Sequence, residues 1–366
     1  MKKVVSILCV LILLQGCEKV NLETKPAPES MAVIEAVNKE LNEDYIILNS
    51  ARHEDMLLVL FGAYNREDIA PSKIVIYNLK DETVVGSKDM GAYFDNVSIV
   101  TLNGGFYIDK DRIPTVYDYE LKEILKLDSF NLDSGHSFLS EENSYTFSED
   151  MSKVAYVKLS NQVLTVYDFN TEIETEYYKL SDENENISKF NNFFLCGTKI
   201  GFAGMAFEEN DLGIQDSNVY GVIDMENKDI SFSYKMPTMA RYSQGSLLIY
   251  DMPQVKENDN GTGESILLDI NSGDELVIKL LKSINSKDVD IVDANTIVSY
   301  SEIGKNRAEL ILYRADEVIK LEGVLPQDAF NIRTTKITDN KLFISYLTTD
   351  NGKTKAVAKM VDYSWK

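Results

Sequence analysis

From residue 44 onward, short runs of β-branched and aromatic residues alternate with brief polar stretches. A typical run ends in a hydrophobic residue followed by Asp or Asn, then a polar turn, then a second strand-like run. The anchors of this pattern are Tyr77-Asn78, Tyr117-Asp118, Tyr167-Asp168, Ile223-Asp224, Leu268-Asp269, Tyr313-Arg314 and Val361-Asp362. Their spacings are 40, 50, 56, 45, 45 and 48 residues, a regularity that marks an internal repeat. The turns after them, such as Asn-Ser-Gly-Asp after Asp269, carry the residues that hairpin turns favour.

Two further strand-like runs precede each anchor. In the third copy they are 144–147 and 153–159, in the fourth 190–196 and 199–207, and in the fifth 240–243 and 246–251. Four strands in 40–56 residues predict the blade of a β-propeller, and the seven copies predict an all-β ring of seven four-stranded blades. No part of the repeats keeps helical periodicity over three turns, which argues against an α/β fold.

The first six anchors are followed by an outer strand, but only four residues follow Asp362. The seventh blade therefore needs cover for an open edge. Residues 31–41 suit that place in one of two ways. Topology favours a closing strand; the spacing of Ile34, Val37 and Leu41, with Ser30 as N-cap, favours a short amphipathic helix.

The first seventeen residues follow a different pattern. Lys2 and Lys3 precede an apolar run from Val4 to Leu14, which is too short to span a bilayer and of the length of a secretory h-region. Leu14-Gln15-Gly16-Cys17 follows it. This resembles the bacterial lipobox, with Gln15 the less usual residue. The resemblance implies a diacylglycerol on Cys17, cleavage after Gly16, and a bacterial protein held outside the cytoplasm at a membrane by acyl chains. The organisation expected is a signal peptide (1–16), a Pro-containing lipidated tether (17–30), the 31–43 segment, and the propeller (44–366).

The third unit, Tyr145-Thr-Phe-Ser-Glu-Asp-Met-Ser-Lys through Val166-Tyr-Asp-Phe-Asn-Thr-Glu, is similar to the WD40-like repeat of TolB-type propellers. There a Phe-Ser-Pro-Asp-Gly turn precedes a strand ending in aspartate. Glu149 stands here for the proline and Met151 for the glycine. With one tryptophan, Trp365, the chain departs from true WD40 blades and from the tryptophan-dependent quinoprotein-type propellers.

Composition narrows function by exclusion. The 366 residues carry 59 Asp and Glu against 37 Lys and Arg, a formal charge of −22, which excludes a general nucleic-acid binder. Losing Lys2 and Lys3 with the signal makes it −24, so the lipid rather than charge has to anchor the chain. Three cysteines form no disulfide framework. Cys9 leaves with the signal, Cys17 is acylated, and Cys196 reads as a small buried hydrophobe. His53 and His136 stand apart from any metal-ligand spacing, and no nucleophile elbow, phosphate loop or dinucleotide fingerprint occurs.

Two acidic stretches are expected as loops between second and third strands: Glu208-Glu209-Asn210-Asp211 to Asp216, and Glu257-Asn258-Asp259-Asn260-Gly261 to Glu264. They read as solvated loops, with calcium as the alternative, although neither has EF-hand spacing. Tyr64, Tyr93, Phe94, Phe130 and Phe330 either form a platform at the ring mouth or pack between blades. The function expected is a binding or scaffolding lipoprotein that engages a protein, peptide or glycan, without cofactor. The alternative is a propeller glycosidase or lyase with a carboxylate pair at the central channel.

Overall fold

A computed structural model of the chain describes residues 31–41, 45–63, 72–91, 97–109, 115–126, 145–158, 162–181, 186–210, 213–234, 238–243, 246–251, 264–279, 289–302, 308–315 and 317–365. Its apolar runs become strands whose two faces are both buried. In the strand Met56–Ala63, Leu58 and Leu60 join one hydrophobic cluster while Leu57, Val59 and Phe61 join another. A strand covered on both faces needs an unbroken apolar run rather than alternation, because successive side chains point to opposite faces.

These strands form seven antiparallel sheets in chain order, spanning residues 45–89, 98–126, 145–179, 187–234, 238–279, 289–321 and 330–362, here sheets 1 to 7. Within each, strands pair in sequence order. Hydrophobic clusters weld each sheet to the next, as with Leu102, Tyr107 and Val116 of sheet 2 against Tyr145, Phe147 and Tyr156 of sheet 3. The last cluster joins Phe343 and Ala358 of sheet 7 to Ile47, Val59 and Tyr77 of sheet 1. The ring is therefore closed. First strands meet between sheets 1 and 2, 3 and 4, 5 and 6, 6 and 7, and 7 and 1, which places them innermost. Fourth strands lie outside and carry the exposed apolar residues Val84, Ile124, Ile173, Val277 and Val318.

Among the described residues, sheets 1 to 6 have four strands and sheet 7 has three. This corrects the expectation of seven four-stranded blades. The physical reason is a helix, α1 (Met31–Glu40), packed where a fourth strand would lie. Val33 and Val37 of α1 are buried against both sheets 1 and 7. Of the two readings of this segment, the structure adopts the helix. Ser30 lies outside the described residues.

Candidate functional site

The repeated Asp or Asn has a local role on one face of the ring. In sheet 1, Asn78 Oδ1 accepts from the N–H groups of Lys80 and Asp81 at 2.9 Å each. Asp168 Oδ1 accepts from Asn170 and Thr171 at 2.9 and 3.1 Å. Asp224 accepts from Glu226 and Asn227 at 2.9 and 3.2 Å, and Asp269 from Asn271 and Ser272 at 2.8 and 3.0 Å. Asp118 accepts from Glu120 and Lys122 at 3.1 and 2.8 Å. Each side chain thus closes the hairpin between third and fourth strands. The turns then pass through left-handed backbone at Glu82, Glu172, Lys228 and Gly273. The N–H groups of Asn227, then of Glu226, hold the Asp224 carboxyl below the usual range. These carboxylates serve turns rather than a ligand.

The turn of the third unit works in the same way. Asp150 Oδ1 accepts from the Ser148 hydroxyl at 2.6 Å and from the Ser152 N–H at 3.0 Å. Met151, where the TolB-type turn has glycine, sits at φ 59°.

The sixth anchor breaks the pattern, and a polar cluster fills the gap between sheets 6 and 7. Arg314 replaces the aspartate, donates from Nε to Thr296 Oγ1 at 3.2 Å, and stacks 4.5 Å from the Trp365 ring. Beside it, Lys336 Nζ lies 2.8 Å from Asp293 Oδ2 and 2.7 Å from Asp339 Oδ1. Burial opposes both charges of the Lys336–Asp293 pair. Hydrogen bonding outweighs it, lowering the Asp293 pKa and raising that of Lys336. With the acid kept ionised and the amine kept protonated, the cluster supplies neither a general acid nor a nucleophilic amine near neutral pH. Tyr363 Oη and Trp365 Nε1, buried nearby, have no hydrogen-bond partner among the described residues.

The remaining residues singled out by sequence do not converge. Cys196 is 4% exposed, its Sγ lies 3.4 Å from Asn271 Oδ1, and burial pushes the thiol up, away from reactivity. His53 stacks on Tyr119 at 4.6 Å across sheets 1 and 2. Phe330 packs against the cluster that contains Leu347 rather than standing at a mouth. Gly16, Cys17, Tyr64, Tyr93, Phe94, Phe130, His136 and residues 257–261 lie outside the described residues.

The acidic stretch from Glu208 is a correction. The strands Lys199–Asn210 and Gly213–Asp224 pair along their whole length, so Glu208, Glu209, Asn210 and Asp216 belong to a two-stranded ribbon and not to a loop. Among the described residues, no group of three His, Cys, Asp or Glu could hold a metal.

No family model matches the chain, and no curated protein matches it in sequence. Among solved structures, it is similar to the β-propeller domain of the trilobed protease of Pyrococcus furiosus, at 11% identity over 88% of this chain and 84% of that one, with TM-score 0.39. It is likewise similar to Kuenenia stuttgartiensis hydrazine synthase (9%, 88% and 97%, TM-score 0.47) and to Pyrococcus horikoshii acylaminoacyl peptidase (12%, 86% and 46%, TM-score 0.39). The chain thus spans about half the length of that peptidase (46%). By its topology, the body of this chain is a β-propeller.

The innermost strands of this propeller have a charge that the whole chain does not. Together they carry Arg52, Lys189, Arg241, Arg333 and Lys336 but only two carboxylates, Asp290 and Asp293. Both acids belong to one strand, Val289–Asp293, and Asp293 is neutralised by Lys336. Arg333 Nη1 donates to Ile332 O at 3.3 Å. Asn49 Oδ1 accepts from the Ile99 N–H at 3.4 Å, and the Ser50 and Thr335 hydroxyls lie 2.6 Å apart, so polar side chains staple neighbouring inner strands. Sequence reading missed this charge bias, because it emerges only once the innermost strand of each sheet is known.

Proposed function

We propose that the chain is a membrane-anchored, extracytoplasmic binding or scaffolding lipoprotein whose propeller engages a protein, peptide or glycan. The observation that carries binding over catalysis is the charge of the inner strands. A glycosidase sets two carboxyl groups about 5–10 Å apart across its substrate. Beyond the Lys336–Asp293 pair, the inner strands instead carry four cationic residues, Arg52, Lys189, Arg241 and Arg333, with Asp290 the one remaining acid among them. Basic inner strands within a chain of net charge −22 would concentrate field lines on an anionic ligand, so the ligand class is acidic.

The anchor is the lipobox. Cleavage after Gly16 and acylation of Cys17 would hold the chain at a bacterial membrane, outside the cytoplasm. Among the described residues, no helix is long and apolar enough to cross a membrane. One acyl chain gives marginal membrane affinity, whereas two or more hold firmly.

Detergent-phase partitioning with intact-mass analysis tests the anchor. Wild type goes to the detergent phase with added acyl mass, and Cys17→Ser is left unprocessed or soluble. Wild type in the aqueous phase without acyl mass contradicts the anchor. Calorimetric titration with polygalacturonate and with dextran tests the ligand class. Binding of the acidic polymer without its cleavage is expected; cleavage of either polymer, or equal affinity for both, contradicts it.

A further inference from the structure

We propose that Arg333 recognises the acidic ligand, taking one of its carboxylates through the N–H groups of Nη1 and Nη2. This rests on the reading above, that the inner strands bind an acidic ligand. It deepens that reading by naming the group bound and the residue that binds it.

Two β-bulges on neighbouring innermost strands position the Arg333 side chain. In sheet 1, the pairing of Tyr45–His53 shifts between Ile47 and Asn49 and leaves Leu48 without a partner in the second strand. In sheet 7, the pairing of Phe330–Thr338 shifts between Phe330 and Arg333 and leaves Asn331 and Ile332 without partners. Asn331 takes φ 48° there. A bulge bends its strand and re-aims the groups beside it. Arg333 bonds one carbonyl from each bulge: Nε donates to Leu48 O at 3.5 Å and Nη1 to Ile332 O at 3.3 Å.

A guanidinium has five N–H groups, so one on Nη1 and both on Nη2 are left for a ligand. Both partners of Arg333 are neutral carbonyls. Among the described residues, no carboxylate pairs with it, so its charge is uncompensated. Lys336, by contrast, is held by Asp293 and Asp339, and Arg52 Nε donates to Glu54 O at 2.6 Å. The Nη1–Nη2 edge of a guanidinium matches the two oxygens of a carboxylate.

The neighbouring hydroxyls select a planar group over a tetrahedral one. Thr335 lies two residues on and, like Arg333, reaches across to sheet 1. Thr335 Oγ1 donates to Ser50 O at 2.9 Å and lies 2.6 Å from Ser50 Oγ. A hydroxyl has one hydrogen, so that of Thr335 is spent on Ser50 O, and Ser50 is the donor within the pair. Neither hydroxyl can donate to a third ligand oxygen. A carboxylate has two oxygens to satisfy, whereas a sulfate has more.

The test uses the full chain, with polygalacturonate as the carboxylate probe and dextran sulfate as the tetrahedral one. Phenylglyoxal modifies guanidinium groups whose Nη edge is open, and peptide mass spectrometry reads the modification at Arg333. In wild type, Arg333 should react in the free protein and be protected by saturating polygalacturonate, less so by dextran sulfate. Arg333→Lys keeps the charge without the fork and should weaken polygalacturonate binding about tenfold. If that variant does not fold, the wild-type labelling decides alone. Wild type that does not bind polygalacturonate overturns the inner-strand reading and this inference together. Wild type that binds it while Arg333 reacts as before, or a folded Arg333→Lys that binds equally well, overturns the inference and leaves the reading standing. An Arg333 inert without ligand, or protected equally by dextran sulfate, also overturns it.

Discussion

The side chain of Asn38 and the main chain of Ala358 form a two-bond pair between residues 320 positions apart. Asn38 Nδ2 donates to Ala358 O at 3.0 Å, and Asn38 Oδ1 accepts from the Ala358 N–H at 3.1 Å. One carboxamide thus reproduces a single rung of the missing fourth strand and fastens α1 across the junction of sheets 7 and 1. Asn38→Asp keeps the acceptor but cannot donate, and sets a carboxylate against the Ala358 carbonyl. It should cost about 1–3 kcal/mol, read as a lower midpoint in thermal or urea unfolding. An unchanged midpoint would mean that the helix contributes only through Val33 and Val37.

Gly273 isolates the backbone cost of the turns. It sits at φ 80°, and a Cβ added there meets no atom within 4 Å. Gly273→Ala should therefore destabilise by about 1 kcal/mol through left-handed strain alone. Lys228 already occupies the equivalent position at φ 57°, so this strain is tolerated within the ring. A urea titration of the variant against wild type measures it.

These turns explain what the sequence could reveal. The Asp or Asn at the end of each third strand was legible because a tight hairpin needs a side-chain acceptor at that place, and it recurs from Asn78 to Asp269. The apolar runs were legible because burial on both faces demands them. The helical place of residues 31–40 was not decided by sequence, since Asn38 gives no sign in advance that it will bond a strand 320 residues away. The ribbon containing Glu208 and Asp216 was read as a loop because it extends past its neighbours in sheet 4 and so lacks the apolar pattern of a covered strand. The lipobox, the most specific feature of the sequence, lies outside the described residues.

The Lys336–Asp293 pair gives stability a defined pH dependence. The folded pKa of Asp293 is lowered, so its contribution is present above the unfolded value, about 3.9, and is lost as pH falls through the folded value. The folded pKa of Lys336 is raised, so its contribution is present below about 10.4 and is lost as pH rises through the folded value. Lys336→Met leaves Asp293 buried without its cation. It should cost about 2 kcal/mol at neutral pH and flatten the acid limb of the stability curve, because the carboxylate then gains little from being ionised. An acid limb as steep as that of wild type would show that Asn295 and Thr296 alone hold Asp293 ionised.

Tyr363 makes the opposite test. It is 6% exposed and its hydroxyl has no partner among the described residues, so desolvating that oxygen is uncompensated there. Tyr363→Phe should leave the fold intact and be neutral or stabilising by up to about 1 kcal/mol. A loss of more than about 1 kcal/mol would reveal a bond to the hydroxyl in solution.

The account's central claim is that the propeller binds an acidic ligand through its basic inner strands. Lys189 is exposed on the innermost strand of sheet 4, and Arg241 lies on that of sheet 5. Converting both to Glu changes the local charge by four. The decisive measurement is the affinity of wild type and of this double variant for polygalacturonate at about 20 and 200 mM salt, where screening lengths differ about threefold. The account predicts salt-weakened binding by wild type and a loss of at least about tenfold in the variant at low salt. Equal affinity in the two proteins, or binding indifferent to salt, would contradict it.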